Sequence, residues 1–306
     1  MSEPEVAVDT TAFAELRPLL FSVAYRMLGR ATDAEDILQE AWLRYACAAA
    51  SGVEVRDLRS WSVRVVTRLC LDELRSVRVQ REHYVGPWLP EPVFTGEATD
   101  SDPLAVVERR DLLSLGALAL LERLSPTERA VLVLREAVGL SHAEIARTVE
   151  ITEVASRQLL ARARRHVVDS PARSTPSREE HRRLVDVLDA AFKTGDVEPL
   201  VALMREDVVL VSDAGGEVKA PRRPIVGRDK VLRFSLGVRT QLPPGTRTGP
   251  AEVNGEPALV VHVDGKPDYV MTLVVDADGR VAEILLVAAP DKLAFARRQQ
   301  PRLAGP

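Results

Sequence analysis

The stretch that decides the fold of this chain is Ser125–Val168, SPTERAVLVLREAVGLSHAEIARTVEITEVASRQLLARARRHVV. Two S-x-x-E patterns, at residues 125–128 and 141–144, predict capping boxes that begin two short helices. Gly139 predicts the end of the first helix, and a turn at residues 150–152 separates the second helix from a cationic third one. Two short helices and a tight turn before a cationic helix are typical of a helix-turn-helix unit that binds DNA.

The third helix, predicted from about residue 153 to 168, has two unlike faces. At ~100° per residue, one face collects the small and apolar side chains Ser156, Leu159, Leu160 and Ala163. The opposite face carries Arg157, Gln158, Ala161 and Arg165, with Arg162 at its border. Arginine pairs well with guanine and phosphate, and glutamine pairs well with adenine. The alternative is a solvated basic face on a structural helix, but the capping and turn pattern favours DNA binding.

The composition describes a globular protein of two or three domains. Its 306 residues are 46% hydrophobic and 28% charged, which argues against disorder, and the net charge of −4 requires any nucleic-acid affinity to come from local basic patches. Cys47 and Cys70 lack metal-ligand spacing and are expected to pack as small apolar residues in a reducing compartment. Without a signal peptide or an apolar run of about 18 residues, we expect a cytoplasmic protein that needs no membrane, metal or cofactor.

Two helices are predicted before residue 50. Phe13, Leu20 and Met27 recur at helical spacing, and Gly29 ends the first helix. A T-x-x-E pattern at residues 32–35 predicts a capping box at the start of the second helix. The outer face of that helix carries an acidic strip, namely Asp33, Asp36, Gln39 and Glu40. From the residues alone, the ordinary preference of carboxylates for helix N-termini is favoured over a docking surface for a partner.

The segment from residue 56 to 81 is strongly basic, with seven Arg against three acids. One helical stripe of this segment carries Arg64, Arg68, Arg75 and Arg78. Trp61 stands at the start of the same helix. A basic stripe with an aromatic side chain suits tracking of a DNA backbone combined with base stacking. For Trp61 itself, a position in the core is an equally good interpretation.

The remainder of the chain divides at two linkers. Residues 83–103 are rich in proline and glycine, yet Trp88, Leu89 and Phe94 are too apolar for a solvated connector and are expected to dock. The second linker, residues 170–177, is rich in serine and proline.

Beyond the second linker, the sequence predicts an amphipathic helix, a short helix at residues 197–204, a strand and turn, and a helix at residues 227–238. Three predicted strands follow, at residues 251–263, 268–279 and 280–289. Turns are predicted at Asn254-Gly255, Asp264-Gly265 and Asp278-Gly279. Helices followed by an antiparallel meander predict an α+β domain with a curved sheet.

Several of these segments resemble a known family. Residues 17–44, 61–76 and 124–167 resemble regions 2 and 4 of bacterial sigma factors of the extracytoplasmic-function group. The linker YVGPWLPEP, residues 84–92, and the C-terminal third resemble the subgroup that carries a fused SnoaL-like domain. The resemblance implies a multidomain fold with two all-α sigma modules and one α+β, cone-shaped SnoaL-like domain. The implied ranges are 1–82 for the region 2 helical bundle, 83–103 for the WLPEP linker, 104–169 for the region 4 helix-turn-helix, 170–177 for the second linker and 178–300 for the SnoaL-like domain.

The resemblance further implies that the partners are RNA polymerase core enzyme and promoter DNA. It assigns polymerase binding to Asp33, Asp36, Gln39, Glu40 and Arg44. It assigns contacts with the −10 element to Trp61, Arg64, Arg68, Arg75 and Arg78, and contacts with the −35 element to Arg157, Gln158, Arg162 and Arg165.

In this subgroup the C-terminal domain is implied to modulate sigma activity in cis, together with the linker. The implied regulatory positions are Trp88, Leu89, Pro90, Glu91, Pro92, Asp213, Gly215, Gly216, Asn254 and Gly255. The family's Asp-Gly-Gly-Gly-Lys loop corresponds here to residues 213–219, DAGGEVK, so that Glu217 stands at the Lys position.

Two other functions would use parts of the same sequence. A stand-alone, ligand-responsive regulator would bind duplex DNA through the helix-turn-helix, but it gives the acidic and arginine-rich helices no role. An enzyme of the cyclase or isomerase type would need a titratable group in the pocket of the C-terminal domain, where Asp207, His262 and Asp268 are the candidates. Their spacing does not show catalysis, so docking is the favoured role of this domain. An unidentified small ligand in its pocket is an open alternative.

Overall fold

The computed structural model describes residues 9–81, 84–95, 114–168, 173–174 and 176–299. The chain separates into two compact units. The first contains the helices before residue 82 and those between residues 121 and 167. The second contains residues 84–95 and 114–120 together with the chain from residue 173 onward. Within the described part of the chain, no helix is long and apolar enough to cross a membrane.

The first unit is entirely helical. The helices up to residue 168 are α1 (Thr10–Leu28), α2 (Ala31–Ala50), α3 (Leu58–Arg81), α4 (Leu115–Leu121), α5 (Pro126–Val133), a π-helical turn (Leu134–Val138), α6 (His142–Val149) and α7 (Glu153–Val168). All of these except α4, which contributes only its last residue, belong to the first unit. Helices α1, α2 and α3 pack around side chains such as Leu20, Tyr25 and Met27, which are fully buried. Burying a side chain of this size stabilises the fold by roughly 1.5–3 kcal/mol.

Helix α5 packs against both α1 and α3. The buried guanidinium of Arg129 donates to the carbonyl oxygen of Met27 at 2.6 Å and to Glu122 Oε1 at 2.7 Å. A buried cation is costly unless it is paired and hydrogen-bonded, and both of these contacts are made by the Nη1 atom. Arg129 therefore ties the start of the helix-turn-helix to the end of α1.

The local signals of the helix-turn-helix are confirmed. Ser125 and Ser141 each form a complete capping box, and Gly139 ends the π-helical turn with a left-handed φ of 81°. The predicted capping box at residues 32–35 is wrong. Helix α2 begins at Ala31, where no side chain caps its N-terminus, and Glu35 forms an ion pair with a residue of α1 instead.

The prediction for the cysteines is half correct. Cys70 is buried in α3, and burial raises the pKa of its thiol. Cys47 is exposed, because it falls on the outer side of α2.

The second unit is an α+β domain. After a short strand β1 (Arg173–Ser174) it contains α8 (Arg178–Thr194), α9 (Glu198–Leu203), β2 (Met204–Asp213), β3 (Ile225–Val226), α10 (Arg228–Gln241), β4 (Arg247–Val253), β5 (Glu256–Val263), β6 (Lys266–Asp276), β7 (Val281–Val287) and α11 (Leu293–Gln299). The strands follow the order β3-β2-β7-β6-β5-β4, and β1 pairs with β6. Four strands, not three, form the antiparallel meander. The chain reverses at Asn254-Gly255, where both residues have positive φ, and this turn divides the first predicted strand into β4 and β5.

Successive side chains of a strand point to opposite faces of the sheet, and both faces of this sheet carry apolar side chains. One face packs against α8, α9 and α10 and buries side chains such as Leu188, Leu210 and Leu273. The other face buries Val260 and Val287 among others, and the linker, α4 and α11 pack onto it. The linker is therefore part of the fold of the second unit.

Candidate nucleic-acid interface and linker site

Helix α7 presents the predicted DNA-binding face to solvent. Ser156, Leu160 and Ala163 are buried, with relative exposures of 5% or less. The four predicted contact residues are all exposed: Arg157, Gln158, Arg162 and Arg165. The division into two faces is as predicted, and the exposed face can meet DNA without unfolding the helix.

The turn before α7 is fixed by polar contacts. Glu150 adopts a left-handed φ of 61°, and His142 Nδ1 lies 2.9 Å from Ser156 Oγ. Desolvation, followed by the nearby cations Arg157 and Arg135, lowers the pKa of His142. The contact between His142 and Ser156 therefore links the start of α6 to α7.

The arginine stripe of α3 is exposed, but two of its members already form ion pairs within the first unit, Arg68 with Glu150 and Arg75 with Asp72 at 2.9 Å. Arg64, Arg68 and Arg75 are exposed, whereas the side chain of Arg78 lies outside the described residues. Arg68 Nη2 donates to Glu150 Oε1 at 2.7 Å, although 82 positions separate the two residues. This contact joins the predicted −10 stripe to the turn of the helix-turn-helix, which the sequence did not indicate.

Trp61 combines the two interpretations that the sequence left open. Its ring is half-buried and lies 6.0 Å from the ring of Tyr45. The same side chain lines a groove of about 530 Å³ between the start of α3 and helix α6, where Arg64 and Arg147 are also found. Trp61 therefore contacts the aromatic core of the first unit and also borders a groove of mixed charge, whose lining carries four arginines and three carboxylates.

The acidic strip of α2 is exposed toward its centre. Asp36 and Gln39 are exposed, Asp33 is half-buried, and Glu40 pairs with exposed Arg44 at 2.8 Å. Leu43 also belongs to this surface, and it is 57% exposed. The sequence prediction listed only polar residues for this surface and missed Leu43, although its spacing of three and four positions from Glu40 and Gln39 places it on the same helical face.

The linker site in the second unit is organised around the buried carboxylate of Asp213, at the end of β2. Asp213 accepts hydrogen bonds from Tyr84 Oη at 2.5 Å, from the backbone nitrogen of Leu89 at 2.6 Å and from the backbone nitrogen of Gly215 at 3.2 Å. The Lys292 ammonium forms a buried ion pair with Asp213 and donates to the Leu89 carbonyl oxygen. Both side chains of this pair are 0% exposed.

Lys292 also contacts the aromatic side chains of the linker. Its Nζ lies 3.9 Å from the centre of the Trp88 ring and 4.9 Å from that of Tyr84. Cation–π attraction strengthens when the cation is desolvated. Lys292 and Tyr84 were not among the predicted site residues, although a lysine that follows the apolar run of β7 was an available signal.

A second set of contacts holds the end of the linker. Val93 N donates to Asn254 Oδ1 at 3.1 Å, and Asn254 N donates to the Val93 carbonyl oxygen at 2.8 Å. The backbone of Phe94 exchanges two hydrogen bonds with the side chain of Gln299, at 2.9 and 3.1 Å. Gly255 N donates to Thr95 Oγ1 at 2.8 Å.

The structure therefore brings the predicted regulatory residues together at one site. Residues 89–92 are buried and Trp88 is half-buried, on the sheet face to which Val253 contributes, and Asn254 lies in the turn that follows Val253. Gly215 and Gly216 have left-handed φ values of 65° and 81°, which turn the chain away from Asp213.

Two of the three residues considered for catalysis form ion pairs with arginines, and the third is a buried residue of β5. Asp207 is exposed, and its hydrogen bonds with Arg205 at 2.7 and 2.9 Å lower its pKa. Asp268 pairs with Arg297 at 3.1 Å, and His262 is buried in β5. A general base is favoured by a raised carboxylate pKa, and Asp207 shows the opposite shift.

Comparison with known proteins identifies the family. Residues 12–79 match Sigma-70 region 2, and residues 115–167 match Sigma-70 region 4. The chain is 39% identical to "ECF RNA polymerase sigma factor SigJ" of Mycobacterium tuberculosis, over 96% of this chain and 97% of that protein. It is 32% identical to "Probable ECF RNA polymerase sigma factor SigI" of the same species, over 93% of this chain and 94% of that protein.

The fold agrees with a solved structure over nearly the whole chain. The crystal structure of M. tuberculosis extracytoplasmic function sigma factor SigJ is similar with a TM-score of 0.75 and 37% identity, covering 94% of this chain and 99% of that one. The two sigma regions and the α+β domain are both included in this coverage. The chain therefore belongs to the extracytoplasmic-function (ECF) RNA polymerase sigma factors, the subunits that direct promoter-specific transcription initiation, and it carries a C-terminal α+β domain in addition to the two sigma regions.

Proposed function

We propose that the C-terminal domain sets the activity of this sigma factor in cis by holding the linker between the two sigma regions. The observation that carries the proposal is the buried Asp213–Lys292 pair, which contacts the linker through the backbone of Leu89 and the rings of Tyr84 and Trp88. A buried pair that touches the linker at several points couples linker docking to the fold of the domain.

The position of the linker in the chain explains how this contact could affect sigma activity. The region 2 match ends at residue 79 and the region 4 match begins at residue 115, so the linker lies between the two. Leu89, Phe94 and Leu115 are buried in the same apolar cluster of the second unit. The C-terminal domain therefore holds both ends of the segment that joins the two sigma regions. Two DNA-binding regions that must reach separate promoter elements depend on the freedom of the segment between them.

The DNA contacts that we propose follow the exposed cations. Arg157, Gln158, Arg162 and Arg165 of α7 would read the −35 element, with base contacts each worth ~1–3 kcal/mol. Trp61, Arg64, Arg68, Arg75 and Arg78 of α3 would contact the −10 element. Because Arg68 is paired with Glu150, its use on DNA requires that this exposed pair open.

The polymerase contacts that we propose lie on α2. Asp33, Asp36, Gln39, Glu40 and Arg44 would form the polar part of the docking surface. Exposed Leu43 lies among them. It would supply an apolar contact at the centre of the docking surface, since protein interfaces usually combine an apolar centre with a polar rim.

The test is run-off transcription with core polymerase, using the full chain. We expect RNA from a defined start site only when the protein is added. Lys292→Met should keep that start site and change the amount of RNA. Lys266→Met, which replaces an exposed lysine at the start of β6, should change neither. Equal amounts of RNA from all three proteins would contradict control in cis, and no RNA from any of them would contradict the polymerase and DNA contacts.

A further inference from the structure

A pocket of about 320 Å³ lies in the second unit, beside the linker. Its lining includes Val85, Ser212, Val218, Lys219, Pro221 and Arg222. This volume lies at the lower end of the range of roughly 300–1,000 Å³ found for small-molecule sites. The pocket is distinct from the Asp213–Lys292 pair, because neither of those residues lines it.

Ser212 is the first observation that points to a ligand. The residue is 2% exposed, and its Oγ atom has no hydrogen-bond partner among the residues that the structure describes. Buried hydroxyl groups in folded proteins are nearly always hydrogen-bonded. A polar atom of a bound molecule would satisfy this hydroxyl from within the pocket.

The charges around the pocket define the class of that molecule. Lys219 and Arg222 are exposed at the lining, and neither forms an ion pair within the described part of the chain. Glu217 is the one carboxylate of the lining, so two cations face one anion. Val85, Val218 and Pro221 supply apolar walls. We infer that the pocket binds a small organic anion, with a carboxylate or phosphate group near Lys219 and Arg222 and an apolar body against these walls.

The pocket also offers a route to the linker. Val85 belongs to the linker, and a Cβ atom on Gly216 would lie 3.1 Å from the Val85 Cβ, so linker and loop are in close contact. Gly86 lies against the backbone of Arg222, with 3.6 Å from its ideal Cβ position to the Arg222 Cα. An anion that contacts both sides binds the docked linker better than the released linker and shifts the population toward docking. This second step rests on the proposed control in cis, whereas the binding step does not.

The binding step can be tested with probes of matched shape and different charge. Benzoate and phenylphosphonate carry the predicted anionic groups, and benzylammonium carries a cation on the same ring. We expect saturable binding of the two anions to the full chain by protein-observed NMR, at least about tenfold tighter than binding of benzylammonium. The double variant Lys219→Glu/Arg222→Glu should lose about tenfold or more in anion affinity.

Two further variants separate this site from general effects. Lys266→Glu changes an exposed charge of the same domain outside the pocket and should leave anion affinity unchanged. Ser212→Val should weaken binding of the two anions. Its melting temperature serves as the control that the domain is folded. Equal affinity for benzylammonium, no saturable binding of either anion, or affinities that the double variant does not change would overturn the site.

The coupling step has its own readout. Bound phenylphosphonate should slow amide hydrogen exchange at residues 84–95 in the wild type and leave exchange in the double variant unchanged. Binding without slower exchange would overturn the coupling and leave the pocket in place. Neither experiment contains polymerase, so a negative result here is distinguishable from failure of the Lys292→Met transcription test.

Discussion

Arg157 on α7 and Lys292 beside the linker are both cations paired with a carboxylate, at 3.0 Å from Glu153 in the first case and with Asp213 in the second. The Arg157 side chain is 57% exposed, whereas that of Lys292 is 0% exposed. An exposed pair contributes only about 0–1 kcal/mol to folding, so DNA phosphates or bases can replace it. Removing one member of a buried pair costs about 3–5 kcal/mol. An ion pair between a cation and a carboxylate can therefore be replaced by DNA where it is exposed, as on α7, and forms a fixed contact where it is buried, as at the linker.

Lys292→Met tests the buried side of this comparison and should have the largest effect. The change leaves Asp213 buried without its cation and removes the contacts with Leu89 and the two rings. We expect a loss of about 3–5 kcal/mol in the free energy of unfolding of the second unit, measured by chemical denaturation. Hydrogen exchange should also become faster at residues 84–95.

A double-mutant cycle makes this prediction sharper. Asp213→Asn/Lys292→Met removes both charges together and should recover part of the stability that Lys292→Met loses. A loss no larger than that of the exposed control Lys266→Met would show that the pair does not hold the linker.

Arg157→Ala tests the exposed side. We expect the free energy of promoter binding by the polymerase complex to weaken by ~1–3 kcal/mol, because a base or phosphate contact is lost. The stability of the protein should change by only about 0.5 kcal/mol or less. Arg183→Ala is the matched control, since Arg183 is also an exposed arginine in an i,i+4 pair with a glutamate. Equal effects of the two variants on promoter binding would contradict a specific contact between α7 and promoter DNA.

Charge reversal on α2 tests whether exposed carboxylates also serve as a binding surface. We expect Asp36→Lys/Glu40→Lys to weaken affinity for core polymerase by about tenfold or more, equivalent to ~1.4 kcal/mol, by placing like charges at the interface. Fluorescence anisotropy with labelled protein measures the affinity. Leu43→Ala should weaken the same interaction without changing charge. Wild-type affinity of the charge-reversed protein for core polymerase would contradict polymerase binding by this surface of α2.

Glu150→Gln addresses a pair that joins two exposed regions of the first unit. The loss in stability should be within about 1 kcal/mol, because Arg68 and Glu150 are 45% and 73% exposed. Released Arg68 should then increase affinity for a single-stranded −10 oligonucleotide. Glu179→Gln, which breaks an exposed pair in the second unit, provides the comparison. A decrease in oligonucleotide affinity would show that the pair orients Arg68 for DNA instead of occupying it.

His181 in α8 gives the smallest expected effect, a dependence of stability on pH. The side chain is 4% exposed, and desolvation lowers its pKa below the ordinary value of about 6.5. The unfolded chain therefore binds a proton more readily than the folded chain, and stability falls as the pH drops below about 6.5. His181→Leu should flatten this part of the stability–pH curve relative to the wild type. Parallel curves for the two proteins would exclude the contribution of this histidine.

What the sequence could predict depends on how far apart the interacting groups lie. The capping boxes at Ser125 and Ser141 involve residues three positions apart, so local pattern was enough. Helical periodicity likewise separated the exposed and buried faces of α7. The T-x-x-E pattern at residues 32–35 failed because Glu35 has a partner in α1, and a local pattern does not contain that contact.

The linker site shows the same limit more strongly. Trp88, Leu89, Asp213 and Asn254 were named from a family resemblance, and the structure brings them to one site. Lys292 lies 79 positions from Asp213 and 203 from Leu89, and no spacing rule connects them. The Arg68–Glu150 contact spans 82 positions and was missed for the same reason. Contacts of this kind follow from the packing of the sheet and helices, which the sequence indicates only as a fold class.

Run-off transcription that scores start-site choice and RNA amount together, for Arg157→Ala and Lys292→Met against the wild type, tests the central claim most directly. We expect Arg157→Ala to lower RNA from the specific start site while leaving polymerase binding intact. Lys292→Met should keep the start site and alter the amount. Normal transcription by Arg157→Ala would contradict a DNA-binding role for the exposed face of α7. A wild-type amount of RNA from Lys292→Met, in a protein whose faster hydrogen exchange shows that the linker is released, would contradict a regulatory role for the buried pair.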